Sequence, residues 1–507
     1  MVPPLLIAGT ILVYLVSKGY WINFSNGEIE RNGVLTFTTT PRRATIFLDG
    51  ENIGKSPRAE AGVKEGEHTI RIEKDGYYSW EHKVTVKAEQ SIPIETTLFL
   101  KKPKVEKIFP SDEQDDKTEV ENLFFDPERK MAVFTVKDGE KIQIWSYTIN
   151  RRFWEFQHAP KMIAVYPDDF VIGSDEPYDL EGYFAHVSEN LQWVLFTTVP
   201  TDTNIPTRRY LLQADSENSK IAELEIPIEL TDENRPDFTG NFEYIIFQNN
   251  NELRSYNFES EVQSVIDTKT DNQTFTWTTD TDGLIYITKE DETGYSVLRS
   301  RVNGEDKTIL YQTDWETDEI GNAEDTEYVD NKITEMNLTK DSKHLVIFTN
   351  KSILIYSFDK SETEEIDAQN PGMFTPNSEN TKFLYTHGMV DEIYQYTLEV
   401  EEGDPIHTVG SKLIKDLSNE FLPTQFQWDL EARNIFYVRQ DNTQEGESDE
   451  DTETEIVAIS TENNKSYSLF NAVIDIPTVD FALGNSGSFL VTICKEDNSL
   501  CKVTIHE

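Results

Sequence analysis

Cysteine is nearly absent from this chain of 507 residues, which contains only Cys494 and Cys501. Two thiols are too few for a structural zinc site, and no histidine stands at ligand spacing from them. Short apolar runs flank a six-residue polar turn between them, which predicts a β-hairpin with the two cysteines on facing strands. Both a cross-strand disulfide and two unpaired, half-buried thiols are compatible with that hairpin.

Basic residues are scarce, with 46 Lys and Arg against 93 Asp and Glu and a formal net charge of −47. Such a surface repels phosphate backbones and anionic lipids, so we expect no nucleic-acid partner. Solubility is the plainest interpretation of the charge, and a dedicated acidic docking face is the alternative. Hydrophobic residues at 37% and aromatics at 11% are sufficient for packed cores. The length predicts about two to four domains.

Motifs for catalysis are also missing. The sequence has no Gly-x-Ser-x-Gly, no His-Glu-x-x-His and no Gly-rich dinucleotide pattern, and its eight histidines are scattered. Residues 50–56 resemble a phosphate loop, but three residues instead of four separate the glycines and a proline follows. Close pairs of carboxylates are uninformative in so acidic a chain. We therefore predict no catalytic residue, no metal site and no cofactor.

The longest uncharged segment lies at the N-terminus, over residues 2–16, and is followed by Lys18, Tyr20 and Trp21. It is shorter than the ~20 residues of a spanning helix, but extension to Ile22 gives a marginal span with Tyr20 and Trp21 at the interface. A signal-peptide core has this length too, although no small-residue cleavage site follows. We expect an uncleaved single-pass anchor over residues 1–24, with a cytoplasmic N-terminus and an extracytoplasmic body, and a linker over 25–33.

Residues 34–100 alternate apolar and polar residues in short runs, which predicts a small all-β sandwich of about five to seven strands. Asp49-Gly50 is a two-residue hairpin signal within it. The order of its turn residues resembles the PEGA domain family. The matching positions are Pro41, Ala44, Asp49, Gly50, Gly54, Pro57, Gly66, Gly76 and Tyr77.

One departure is Lys64-Glu65 before Gly66, where the PEGA pattern usually has a proline. This difference affects one loop. The resemblance implies a spacer or surface domain of an envelope protein, with no catalytic residues of its own.

Residues 101–119 are charged and contain two prolines, which predicts a linker. Beyond it, a loose repeat recurs eight times, each copy having an apolar start, a polar turn and a compact apolar strand. The copies occupy residues 123–136, 185–198, 236–248, 276–288, 336–349, 373–386, 426–439 and 480–493.

Copies that recur about every 40–50 residues predict four-stranded blades that bury their apolar strands by radial stacking. The turn groups resemble those of TolB-like and WD-type propellers. We predict a β-propeller over residues 120–507 with eight blades; seven blades are the alternative, and two irregular β-sandwiches are the rival fold. Acidic insertions at 112–116, 314–330 and 441–455 are expected to be solvated loops.

The order of anchor, PEGA-like domain and propeller, without a catalytic motif, predicts a non-enzymatic binding or scaffold protein of the bacterial cell envelope. The PEGA-like domain would be a spacer, and the propeller would bind an envelope protein, a peptide or a cell-wall polymer. One alternative is an envelope enzyme, because propellers also support lyases and glycosidases. The other is a structural surface-layer component.

Overall fold

The computed structural model describes the chain from residue 20 to residue 506 with interruptions. The longest undescribed segments are 111–118, 150–158, 167–177, 224–236, 315–331, 399–409, 417–425, 441–453 and 472–480. Every regular element in the described part is a β-strand, which confirms the all-β prediction. None of the described residues belongs to a helix long and apolar enough to cross a membrane.

The N-terminal domain consists of two four-stranded sheets. The first contains β1 (Tyr20–Asn23), β2 (Glu28–Thr40), β5 (Arg58–Lys64) and β8 (Ser91–Thr97). The second has the order β4-β3-β6-β7 and contains β3 (Thr45–Leu48), β4 (Glu51–Lys55), β6 (Gly66–Glu73) and β7 (Trp80–Val86). Alternate side chains of both sheets form one core that includes Phe37, Ile72 and Trp80.

The predicted anchor is wrong in its last residues. Tyr20–Asn23 forms a strand that pairs antiparallel with residues 28–31, so Tyr20 and Trp21 do not continue a helix. Backbone pairing to a neighbouring strand satisfies the same groups that a helix would satisfy internally. Residues 2–16 lie outside the described part of the chain.

Eight further four-stranded antiparallel sheets follow in the described part, and we call them blades 1 to 8. Blades 1 to 4 contain β10 (Val120–Phe125), β11 (Met131–Asp138), β12 (Lys141–Thr148), β13 (Lys161–Tyr166); β14 (Tyr178–Val187), β15 (Trp193–Pro200), β16 (Arg208–Gln213), β17 (Ile221–Glu223); β18 (Asp237–Phe238), β19 (Tyr244–Asn249), β20 (Glu252–Asn257), β21 (Val262–Thr268); and β22 (Thr274–Thr279), β23 (Leu284–Glu290), β24 (Gly294–Arg301), β25 (Thr308–Asp314).

Blades 5 to 7 contain β26 (Ile333–Leu338), β27 (His344–Thr349), β28 (Ser352–Ser357), β29 (Glu362–Asp367); β30 (Pro371–Pro376), β31 (Lys382–His387), β32 (Glu392–Thr397), β33 (Gly410–Asp416); and β34 (Phe426–Trp428), β35 (Asn434–Gln440), β36 (Thr454–Ser460), β37 (Ser466–Asn471). Blade 8 contains β38 (Ala482–Leu483), β39 (Phe489–Cys494), β40 (Ser499–Thr504) and, as its fourth strand, β9 (Lys104–Phe109).

Blade 8 thus joins the two ends of this region, because β9 pairs antiparallel with β40. The predicted linker over 101–119 is therefore wrong at residues 104–109. Its many lysines disguised a strand whose partner lies almost 400 residues away in the sequence, and only Phe109 is buried there.

Apolar side chains pack each blade on its neighbour. Shared cores join blades 3 and 4, 4 and 5, 5 and 6, 6 and 7, 7 and 8, and finally 8 and 1. Strands β10 and β14 bring blades 1 and 2 together. This succession of sheets, closed by β9, is the architecture of a β-propeller. The eight blades in the described part equal the predicted number.

Each predicted repeat spans the first two strands of one blade. The polar turn within it has a recurring structure: a short side chain accepts the backbone N–H of the residue that begins or precedes the second strand. The side-chain acceptors are Thr239, Asp280, Thr339, Asn377 and Asp429. This requirement for a short oxygen-bearing side chain explains why Thr, Asp or Asn occupies this position of the repeat.

The propeller has two faces. The first face carries the turns between strands one and two and between strands three and four of each blade; they contact each other, as in Val302 N to Gly283 O, 3.1 Å. The second face carries the turns between strands two and three and the connections between blades, as in Lys269 N to Asn251 O, 2.8 Å. The strands that flank the acidic segments 111–118, 315–331 and 441–453 all end at the second face.

Candidate functional site at the domain junction

The PEGA-motif residue Asp49 lies in the β3–β4 hairpin turn, where it and Gly50 both have positive φ. Its carboxylate accepts the backbone N–H of Thr69 at 2.9 Å and lies 2.6 Å from Nδ1 of His68. The hydrogen bond from Thr69, with that from His68, lowers the pKa of Asp49. This side chain therefore ties the hairpin to strand β6 and is not presented to a ligand.

A second group of motif residues forms the corner after β2. Ala44 is fully buried in the domain core, and its N–H donates to Ser56 Oγ at 3.1 Å. Ser56 Oγ in turn contacts Thr39 Oγ1. Pro41 and Pro57 flank this corner, the first buried and the second exposed.

The remaining motif positions also have structural roles. Gly54, Gly66 and Gly76 have φ between 82° and 141°, a conformation that glycine adopts without strain. Tyr77 is 8% exposed and belongs to the domain core. The motif therefore accounts for the fold of the domain.

The PEGA-like domain packs directly on blades 7 and 8 at the first face of the propeller. Phe99 leaves the domain's own core and joins that of the two blades, where its ring is edge-on to Phe436 at 5.7 Å and lies 5.6 Å from Tyr467. The ring of Tyr78 also lies 5.6 Å from that of Tyr467. Buried aromatic contacts of this kind hold the two domains in one orientation.

Hydrogen bonds surround these rings. Tyr78 Oη donates to the carbonyl of Ser468 at 3.1 Å, and Leu100 N donates to Ile505 O at 2.8 Å. The third-to-fourth-strand turn of blade 7 contributes Asn463 Nδ2 to Glu81 O, 2.8 Å, and Lys465 Nζ to Ser79 O, 3.2 Å. Because the bonds to the turn use backbone carbonyls of the PEGA-like domain, they depend on its fold more than on its side chains there.

Charged side chains gather beside this contact, at blades 6 and 7. Arg433, in the first turn of blade 7, pairs with Glu95 of β8. Lys412, at the start of β33, donates to the carbonyl of Thr461. Glu462 follows Thr461 directly and is surrounded by Arg433, Lys412 and Lys382.

Burial dominates the ionisation of this cluster. It raises the pKa of Glu462 to about 7, although Arg433 and Lys412 act in the opposite direction. It lowers the pKa of His82 on β7, and the positive charge of Lys412 lowers it further. The cluster therefore contains a carboxylate that titrates near neutral pH where the two domains meet.

Few features of the sequence indicate these residues. Phe99 lies in the apolar run 98–100, which indicates a strand but not the domain on which it packs. Arg433 and Glu95 are 338 residues apart and belong to no motif. The cluster resembles the dense set of His, Arg and carboxylates expected of an enzymatic propeller, but it lies beneath the PEGA-like domain at the first face.

Cys494 and Cys501 are joined by a disulfide between β39 and β40, with their Cα atoms 5.8 Å apart. Both are nearly buried, at 8% and 2% exposure. The hairpin they bridge accepts Val120 N at the carbonyl of Asn498, 2.9 Å, so it also contacts the first strand of blade 1.

No group of three or more His, Cys, Asp or Glu able to hold a metal ion occurs among the residues whose positions are described. Of the histidines in the PEGA-like domain, His68 is paired with Asp49, and His82 is partly buried against the propeller.

Comparison with known families confirms the first resemblance: residues 32–101 match the model of the PEGA domain family. No curated protein matches the chain. Among solved structures, dipeptidyl peptidase 4 of Porphyromonas gingivalis is similar at 12% identity, with a TM-score of 0.42, 74% of this chain and 56% of that chain covered.

The WD40 domain of SCAP from fission yeast is similar at 9% identity, with a TM-score of 0.43, 80% of this chain and 98% of that chain covered. A prolyl endopeptidase is similar at 13% identity, with a TM-score of 0.43, 75% of this chain and 55% of that chain covered. The chain thus spans little more than half the length of the peptidases that it matches.

Proposed function

We propose that this chain is a membrane-anchored, extracytoplasmic binding protein of the cell envelope, without catalytic activity, whose propeller binds its partner at the second face. The observation that carries the proposal is the junction: the PEGA-like domain occupies the first face at blades 7 and 8. The partner classes we propose are an envelope protein, a peptide or a cell-wall polymer.

The junction also changes the role of the PEGA-like domain from a spacer to a fixed base. A spacer linked by flexible segments would leave both faces of the propeller accessible. Here Phe99 and the bonds of Asn463 and Lys465 fix one orientation, so a partner that approaches past the PEGA-like domain meets an obstructed face. The second face has no such cover among the described residues, and it is also where the strands that flank the acidic segments end.

A photo-crosslinking experiment on intact cells tests the choice of face. A photoreactive residue is placed at Asn250, Asn272 or Asn370, which are exposed turns of the second face, or at Asp306 or Lys360, which are exposed turns of the first. We expect one specific adduct from the second-face positions and none from the first-face positions. Adducts confined to Asp306 and Lys360 would contradict the proposal.

The alternative of an envelope enzyme is tested by the charged cluster. Arg433→Gln should weaken the contact between domains but leave adduct formation by the second face measurable. A hydrolytic or lyase activity on envelope extracts that disappears in this variant, while the fold is intact, would favour the enzyme.

A further inference from the structure

Charge is distributed unevenly between the two domains. Residues 108–507 contain 31 basic and 80 acidic residues, whereas residues 32–101 contain ten of each. The net charge of the whole chain therefore hides a region in which positive side chains can dominate locally.

Such a region lies where the PEGA-like domain ends. Three segments meet there: the corner 41–44, the turn 73–77 and the segment 98–102. Lys74 Nζ donates to Arg42 O at 2.7 Å, Lys101 N donates to Gly76 O at 3.0 Å, and Leu98 N donates to Thr40 O at 2.7 Å. The backbone thus brings together five basic residues that are separated in the sequence. We call Arg42, Arg43, Lys74, Lys101 and Lys102 the basic patch.

The basic patch faces solvent. Arg42, Arg43, Lys101 and Lys102 are exposed, and none of the four forms an ion pair with another described residue. Its one exposed carboxylate is Asp75. The patch ends where strand β9 begins, because the exposed carboxylate of Glu106 stands between Lys104 and Lys107 there.

We propose that the basic patch binds a polyanion, a phosphate- or carboxylate-bearing polymer chain that lies across the patch. Clustered, exposed Lys and Arg attract anionic groups and release counterions when they bind. A polymer that carries many anionic groups can contact several of these cations at once, because the three segments that bear them meet at the surface.

The surroundings favour a thin polymer over a broad anionic surface. A flat bilayer that touched the patch would also approach the propeller, in which acidic residues outnumber basic ones more than twofold, and would be repelled there. A second copy of this chain would be repelled in the same way. Repulsion is screened over ~8 Å at physiological ionic strength, so a single polymer strand on the patch can avoid it.

The test uses the full chain and two labelled probes, long-chain inorganic polyphosphate and poly-glutamate, with neutral dextran as the uncharged probe. The patch variant carries Arg42→Gln, Arg43→Gln, Lys101→Gln and Lys102→Gln. The control variant removes four exposed charges elsewhere, with Lys55→Gln, Lys64→Gln, Lys87→Gln and Lys360→Gln. Binding is measured by fluorescence anisotropy at several salt concentrations.

We expect at least one polyanion to bind the wild type and the control variant, with affinity at least tenfold lower for the patch variant. The slope of log K against log salt should be shallower in the patch variant by about 3, because each lost contact removes ~0.7–0.9 from the slope. Dextran should not bind. Failure of both polyanions to bind, or equal loss in both variants, would overturn the proposal.

A vesicle experiment separates the polymer from a lipid surface. Phosphatidylglycerol and phosphatidylcholine vesicles are compared by co-sedimentation, since any N-terminal anchoring should be similar for both. A patch-dependent preference for phosphatidylglycerol, combined with unchanged polyphosphate and poly-glutamate binding in the patch variant, would replace the polymer by a bilayer. The patch lies beside the first face, where β9 begins, so either outcome leaves the crosslinking test of the second face unaffected.

Discussion

The two domains of this chain obtain their stability differently. The PEGA-like domain has one core enclosed by two sheets, and its turns depend on particular residues such as Asp49, whose side chain joins two strands. The propeller has a separate core at each described interface between blades. A single core fixes every connection around it, whereas stacked cores tolerate long insertions at the second face. The acidic segments 111–118 and 315–331 lie there between blades, and 441–453 lies there between two strands of blade 7.

The largest difference between the domains is expected when one buried phenylalanine in each is replaced by alanine and the unfolding of the strands is compared. Phe37 in the PEGA-like domain is 1% exposed and Phe348 in blade 5 is 0% exposed. Either substitution by alanine should cost about 3–5 kcal/mol of stability. Hydrogen exchange should show Phe37→Ala exposing all strands of its domain, but Phe348→Ala exposing mainly blades 5 and 6, whose shared core contains it. Exchange spread evenly around the propeller in Phe348→Ala would show that its cores are not separable.

Two neighbouring residues test the junction between the domains. Leu98 belongs to the core of the PEGA-like domain, and Phe99 belongs to the core of blades 7 and 8, because alternate side chains along an extended segment point in opposite directions. Each alanine substitution should cost about 3 kcal/mol. Leu98→Ala should lower the unfolding temperature of the PEGA-like domain, whereas Phe99→Ala should separate the unfolding of the two domains in calorimetry. Identical melting profiles for both variants would contradict this division.

The part of the structure that the sequence predicts is the part set by local chemistry. Asp49-Gly50 requires positive φ, and the short oxygen-bearing side chains of the repeats accept a backbone N–H a few residues ahead. Strand β9 was missed because it lies in a lysine-rich segment that begins at Lys101 and because its partner β40 is distant in the chain. The junction was missed for a related reason: alternation separates Leu98 from Phe99 but does not identify the surface that each one meets.

The disulfide should contribute less than the aromatic cores. A bridge between Cys494 and Cys501 closes a short loop, for which chain entropy predicts about 2–3 kcal/mol. Cys494→Ser with Cys501→Ser should lower the unfolding temperature, with increased exchange confined to β39, β40 and the start of β10, which bonds to Asn498. Dithiothreitol should have the same effect on the wild type and none on the double variant. A wild type insensitive to the reductant would show that the bridge adds no stability.

The smallest predicted effect depends on pH and concerns Glu462. Burial raises the pKa of this carboxyl to about 7, above the value of a free glutamate, so the folded state binds its proton more tightly than the unfolded state does. Its contribution is therefore most favourable at low pH and is lost as pH rises toward and through 7. Glu462→Gln should stabilise the protein at pH 8 by about 1–2 kcal/mol and should have little effect at pH 5. The whole pKa shift at ~1.4 kcal/mol per unit would give a larger effect at pH 8, which is reduced because the turn remains partly solvated.

Burial and the charge of Lys412 lower the pKa of His82, but His82 is present in both proteins and its effect largely cancels from the difference between variant and wild type. Glu362→Gln, which removes an exposed carboxylate from the start of the corresponding strand of blade 5, is the matched control and should show no pH-dependent difference. Thermal unfolding between pH 5 and pH 8 measures all three proteins. A variant less stable than the wild type at pH 8 would mean that Arg433, Lys412 and Lys382 stabilise the Glu462 carboxylate by more than burial penalises it. In that case the charged cluster would strengthen the domain junction at alkaline pH, and its ion pairs would stabilise that junction together with Phe99.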